Sequence, residues 1–128
     1  MPTPNQIDKH RAVQHAAKAT LAMLAGNITQ LDTEHSIASK AQHLMHEQGY
    51  PDTWYYHCPA LVLLGSRSCN SISGRNYQAA NEVVGKSNLI TVDLSPSSDE
   101  CWGDCARSFF VENGRVTPEP QSLEFKNG

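Results

Sequence analysis

The feature that most constrains this chain is a change of hydrophobic rhythm near residue 50. Before it, apolar residues recur at three- and four-residue steps, the spacing of one helix face. Val13, Ala16, Ala17, Thr20, Leu21 and Leu24 follow that step, predicting a helix from about Gln6 to Ala25 with Gly26 as its stop. "NITQLDTEH" reads as a linker. Asp32 or Thr33 can cap a second helix, and Glu34 suits its positive N-terminal end. Ile37, Ala41, Leu44 and Met45 make that helix's inner face, and Gly49 ends it. After residue 50 the helical step disappears. "DTWYYHCPALVLLGS" predicts a short strand and then a buried strand over Ala60 to Leu64. "GSRSCNSISGRNY" reads as a Gly/Ser loop, "NLITVDL" as a strand, "SPSSDE" as a turn and "CWGDCARSFFV" as a further strand. "ENGR" carries the Asn-Gly hairpin signal. Two helices followed by antiparallel strands make the class α+β.

Size and charge exclude several functions. The 128 residues suffice for one domain with a modest core. The net charge is -3, and the ten Lys and Arg are scattered without a run, which excludes a nucleic-acid-binding surface. No stretch approaches a transmembrane helix. The N-terminal "MPTPNQIDKHRAVQHAAK" has no apolar core to act as a signal peptide. The expectation is a cytoplasmic protein without a membrane partner, in which Cys58, Cys69, Cys101 and Cys105 are reduced thiols.

The segment "TVDLSPSSDECWGDCARSFFV" holds the feature that needs explaining. Aspartate is a poor strand former, yet each of the two strand-like stretches carries one, Asp93 and Asp104. If the turn is centred between Ser98 and Asp99, the two acids face each other directly on one side of the sheet. Opposed like charges are unfavourable there. Three offsets are open: a solvated face, a protonated carboxyl, or a divalent cation held between hard oxygen ligands. Ile90, Val92 and Leu94 form an apolar face, and Thr91, Asp93 and Ser95 a polar one. The same register places Trp102 opposite Ser95.

Other groupings carry less. His43 and His46, three apart on the second helix beside Glu47, read as a solvated helix edge. His57 beside Cys58 suggests a thiol nucleophile but has no evident acidic orienter, so a packed strand residue is the reading. Cys101 and Cys105 lack the two-residue spacing of zinc ligands. Their parity in a regular strand turns them away from Asp104, as core thiols. Arg107 either pairs with an acid or packs its stem along the sheet.

"LITVDLSPSSDECWGDCARSF" resembles the metal-binding hairpin of the methionine aminopeptidase and Xaa-Pro peptidase superfamily, the creatinase or pita-bread metallopeptidases. The shared features are an aspartate ending one strand, ten intervening residues, and a second aspartate in a Gly-Asp-x-x-Arg-x-Phe-like context: here Asp93, then Gly103, Asp104, Arg107 and Phe109. Upstream, "KATLAMLAGNITQLDTEHSIASKAQHLMHEQGY" is similar to the family's two helices with their I-x-x-x-x-T-E link, and "WYYHCPALVLLGSRS" to the segment bearing a histidine near the substrate cleft. The resemblance runs from about Arg11 to Val116. It implies a partial pita-bread fold over 1–128 as a single domain. It implies Asp93 as ligand to one ion of a dinuclear site, Asp104 as a bridge to both, and His57 on the substrate side. Mn, Co, Fe or Zn are the candidate metals and a peptide is the substrate. The family completes its site with one histidine and two glutamates on later strands. Here all six histidines precede Asp93. The expectation is therefore the first half of a site, lacking the C-terminal half, inactive as this chain alone. Its exposed strand edges would be covered by a homodimer or another partner. A non-catalytic binding or interaction module derived from that fold is the alternative.

Overall fold

The structure, a computed structural model, describes residues 4–53, 58–65, 67, 77–98 and 101–117. Helix α1 spans Pro4–Ala25 and helix α2 Glu34–Glu47. Val13, Ala16, Ala17, Thr20, Leu21 and Leu24 are all buried, which is the α1 face that the spacing predicts. Thr20, the polar member of that face, is satisfied by donating its hydroxyl to the Ala16 carbonyl at 2.8 Å.

Of the two candidate caps for α2, Thr33 takes the position. Its extended backbone lets Oγ1 accept from the Ser36 N–H at 3.1 Å, while Ser36 Oγ accepts from the Thr33 N–H at 2.7 Å. This reciprocal box satisfies two donors the helix cannot. Asp32, buried, braces the same turn. It accepts from the Thr29 N–H at 2.8 Å, the Ser36 hydroxyl at 2.7 Å and Lys40 Nζ at 2.6 Å. Burial alone would raise its carboxyl; the hydrogen bonds and the Lys40 charge outweigh that and hold it below the usual carboxylate value. The far end of α2 closes as expected at Gly49, whose φ of 92° lets the Tyr50 N–H reach the Met45 carbonyl and its own N–H the His46 carbonyl.

Strand β1 is Asp52–Thr53, β2 Ala60–Leu64, β3 Asn88–Leu94, β4 Pro96–Ser98, β5 Cys101–Trp102, β6 Cys105–Glu112 and β7 Arg115–Thr117. They form a four-stranded antiparallel sheet in the order β2-β3-β6-β7 and a three-stranded one in the order β1-β4-β5. The β3–β4 and β5–β6 stretches are the two arms of one ribbon that leaves the larger sheet at Ser95 and returns at Asp104. "SPSSDE" is therefore not all turn, since Pro96–Ser98 is a strand held between β1 and β5. At the "ENGR" hairpin, Asn113 and Gly114 both have positive φ (55° and 77°), the geometry an Asn-Gly turn supplies.

Both helices cover one face of the larger sheet. Ala60, Val62, Leu64, Ile90, Val92, Leu94, Phe109 and Val111 project into the helices' apolar faces and form the main core. On the other face, Leu61 and Leu63 join Cys58 in a second cluster under Tyr77, so β2 is buried on both sides, as its aliphatic run requires. The outer edge of β2 is closed by side chains. Tyr77 Oη accepts from the Val62 N–H at 3.3 Å and donates to the Val62 carbonyl at 2.8 Å. Burial pushes its phenol up to about 12, so the donor is retained at neutral pH. One residue pair further along, the Leu64 N–H donates to Glu34 at 2.9 Å.

Glu34 is the polar pin of the fold. It is fully buried at the first turn of α2. Its carboxylate accepts from Leu64 N, from Arg67 Nε at 2.8 Å and a second Arg67 nitrogen at 3.0 Å, and from Ala80 N at 2.8 Å. A glutamate out of water is tolerated because every acceptor site meets a donor and the guanidinium balances the charge. The helix N-terminus that the sequence offered as its partner is only part of this environment.

Candidate functional site

Asp93 lies one residue before the end of β3, and Asp104 immediately precedes β6. Their registry differs from the direct opposition that the sequence suggested. Asp93 pairs with Ala106, and Leu94 with Cys105, a shift of two residues. A two-residue shift preserves the side-chain alternation, so both acids remain on the same face, now as diagonal neighbours. The shift arises because Ser98 pairs with Cys101, which moves the centre of the turn one residue along. It also sets Trp102 opposite Ser97 rather than Ser95.

The two carboxyls lie near enough on this face for Asp104 to shift the ionisation of Asp93. Asp93 is exposed on the open face, yet the surrounding sheet strips enough water from it to raise its carboxyl, to about 6. The hydrogen bond with Asp104 and the Asp104 charge add to the effect. The Cys58 thiol is raised first by burial and then by the charge of Asp93. Cys58 donates weakly to the Ala60 carbonyl at 3.6 Å. Burial and a raised pKa disfavour the thiolate form of Cys58 that a nucleophile needs.

Ser95, buried at the bend between the sheets, fixes the end of β3. Its N–H donates to the Pro59 carbonyl at 3.0 Å and its hydroxyl to the Cys58 carbonyl at 3.0 Å, while Thr53 donates to its carbonyl at 2.6 Å. At Asp104 the anchor comes from α1. Gln14 Nε2 donates to the Asp104 carbonyl and Gln14 Oε1 accepts from the Asp104 N–H, both at 2.8 Å. One residue earlier, the Gly103 N–H donates to the Pro96 carbonyl at 2.8 Å.

Cys105 pairs with Leu94 and packs against the main core, on the face away from the acids, as its parity predicted. Arg107 pairs with Val92 and so lies on the sheet face opposite Asp93. Cys58, Cys101 and Cys105 form no disulfide among the described residues. His43 is exposed and contacts Glu47 at 2.9 Å. With His46, Tyr50 and Pro59 it lines a groove of about 430 Å³ beside the end of α2; neither acid lines that groove. His57 lies outside the described residues, as does Cys69.

Two adjacent carboxylates offer hard oxygen ligands suited to a divalent cation. Among the described residues, no group of three or more His, Cys, Asp or Glu side chains comes together. The pair fits a metal as two ligands of a larger set.

The described residues thus form an α+β layer of two helices on an antiparallel sheet, with two acids on one sheet face. The sequence matches metallopeptidase family M24 over residues 8–125, and the chain belongs to that family. The fold agrees. An X-Pro aminopeptidase from Thermotoga maritima superposes with a TM-score of 0.77 at 18% identity, covering 98% of this chain and 32% of that one. A prolidase from Thermococcus sibiricus gives 0.77 at 15% identity, with 99% and 31% covered. A zinc-substituted Escherichia coli aminopeptidase P in complex with product gives 0.72 at 16% identity, with 87% and 24% covered. The chain thus has a partial pita-bread fold and spans about a third or less of these solved structures. No curated protein matches the sequence. No helix among the described residues is long and apolar enough to cross a membrane.

Proposed function

We propose that this chain forms the metal-ligating first half of an aminopeptidase or Xaa-Pro peptidase site, acting on peptide bonds near a peptide N-terminus. The observation that carries the reading is the strand register that sets Asp93 and Asp104 on one sheet face, within the segment matched by the family. Asp93 and Asp104 would hold divalent metal, with Mn, Co, Fe or Zn as candidates, and His57 would stand on the substrate side. A bound divalent ion would supply Lewis-acid polarisation of a carbonyl and a water of lowered pKa. The chain's own part is to present two carboxylates on one sheet face. Ser95 and Gln14 fix the backbone on either side, so that the carboxylates need little rearrangement.

The sequence has no histidine after Asp104. Two carboxylates alone bind transition metals weakly. By itself the chain is therefore expected to lack peptidase activity and to need a second chain or further residues to complete the site. A cytoplasmic setting accords with the four cysteines. The second reading is a non-catalytic binding module that kept this part of the fold.

Calorimetric titration of the chain with Mn(II), repeated on Asp93→Asn and Asp104→Asn, tests the proposal. Saturable binding that either substitution abolishes supports a ligand pair. Binding no stronger in the wild type than in the variants removes the metal reading and leaves the binding module.

A further inference from the structure

The two bends of the acid-bearing ribbon are anchored by different means. Ser95 is held by neighbouring strand segments. Gly103 and Asp104 fall between β5 and β6; the Gly103 N–H reaches the Pro96 carbonyl of β4, while the backbone of Asp104 turns to α1. The Asp104 N–H and carbonyl are instead satisfied together by one side-chain amide, that of Gln14, 90 residues away on α1. A primary amide can donate and accept at once, and so mimics a strand partner. The helix can approach this closely because residue 103 is glycine. A Cβ there would stand 3.2 Å from both Val13 Cγ1 and the Val13 carbonyl oxygen, and 3.3 Å from Gln14 Oε1. One turn earlier on α1, His10 meets the Trp102 ring edge-on, at 5.4 Å between centroids. Three successive ribbon residues are therefore docked on one stripe of the helix.

From this we infer that Gln14 is a positioning residue. It replaces a missing strand partner at Asp104 and holds that residue on the sheet face of Asp93, so that α1 sets the geometry of the acid pair. The inference rests on the proposed ligand role of the pair. A side chain rather than a strand makes the clamp, so one substitution removes both hydrogen bonds without altering the sheet.

The test uses the full chain and compares Gln14→Met with Gln48→Met. Gln48 ties α2 to α1 through Thr20 at 2.7 Å, remote from the acids, and so controls for a loss of helix anchoring. Gln14→Glu, which keeps the acceptor for the Asp104 N–H and loses the donor to its carbonyl, serves if the methionine variant does not fold. Amide exchange at Asp104 and affinity for Co(II) are read together. Gln14→Met should speed Asp104 exchange at least about tenfold, leaving Ile90 and Phe109 unchanged. It should also weaken Co(II) about tenfold, as loss of an outer-shell partner does. Gln48→Met should change neither. Unchanged exchange, or faster exchange with unchanged Co(II) affinity, overturns the inference. If the wild type binds no Co(II), the ligand reading fails separately. The clamp is then decided by the Asp93–Asp104 carboxyl separation in crystals of wild type and Gln14→Met, where a widened gap supports it and an unchanged gap overturns it.

Discussion

Replacing Asp93 by asparagine keeps the shape and polarity of the side chain but removes its ionisation. In the folded protein the Asp93 carboxyl is raised from 3.8 to about 6, by partial desolvation first and by Asp104 second. A raised carboxylate means that the folded state holds its proton to higher pH than the unfolded chain. As pH climbs from about 4 to about 6, the unfolded state ionises first and stability is lost. Taken at face value, that difference is worth about 3 kcal/mol. Asp93 is exposed, however, and solvent screens much of the interaction, so about 1 kcal/mol is the expected size. Urea unfolding of wild type and Asp93→Asn at pH 4, 5, 6 and 7 measures it. The variant should match the wild type near pH 4 and exceed it by about 1 kcal/mol at pH 7. A difference independent of pH, or a variant less stable at pH 7, would show that the fold does not raise the Asp93 carboxyl.

Further consequences follow from the packing. Glu34→Gln removes the charge that balances Arg67 and turns one acceptor oxygen, which faces two donors, into a donor itself. It should cost about 3 kcal/mol in chemical unfolding, and a loss under about 1 kcal/mol would mean that the pin is not buried. Gly103→Ala forces α1 off the ribbon and should cost about 1–3 kcal/mol, seen as a lower thermal midpoint. Tyr77→Phe leaves the Val62 backbone groups at the β2 edge without their phenol partner, for a loss of about 1–3 kcal/mol.

Much of the scaffold was legible in the sequence because its signals are local. The α1 stripe, the Thr33 cap, the Gly49 stop, the doubly buried Ala60–Leu64 run and the Asn-Gly hairpin each depend on residues a few positions apart. The same holds for the acid pair's shared face, since alternation along a strand survives a two-residue slip. The register itself was not legible. A polar turn can be centred at either of two adjacent positions, and the choice is made by β1, which pairs with β4 from outside the hairpin. For the same reason, Pro96–Ser98 looks like turn in isolation and becomes strand in context. Gln14 gave no signal, being a polar residue within an amphipathic helix whose partner lies 90 positions away. Glu34 was visible as a residue suited to a helix start. Its burial was not, because it depends on Arg67, Leu64 and Ala80 converging from a separate part of the chain.

The most direct measurement of the central claim is an anomalous-scattering map from crystals of this chain soaked in millimolar Mn(II). The account predicts a peak bridging the carboxylates of Asp93 and Asp104, lost in Asp104→Asn crystals. A map empty at that position, with the two acids still on one sheet face, would contradict it.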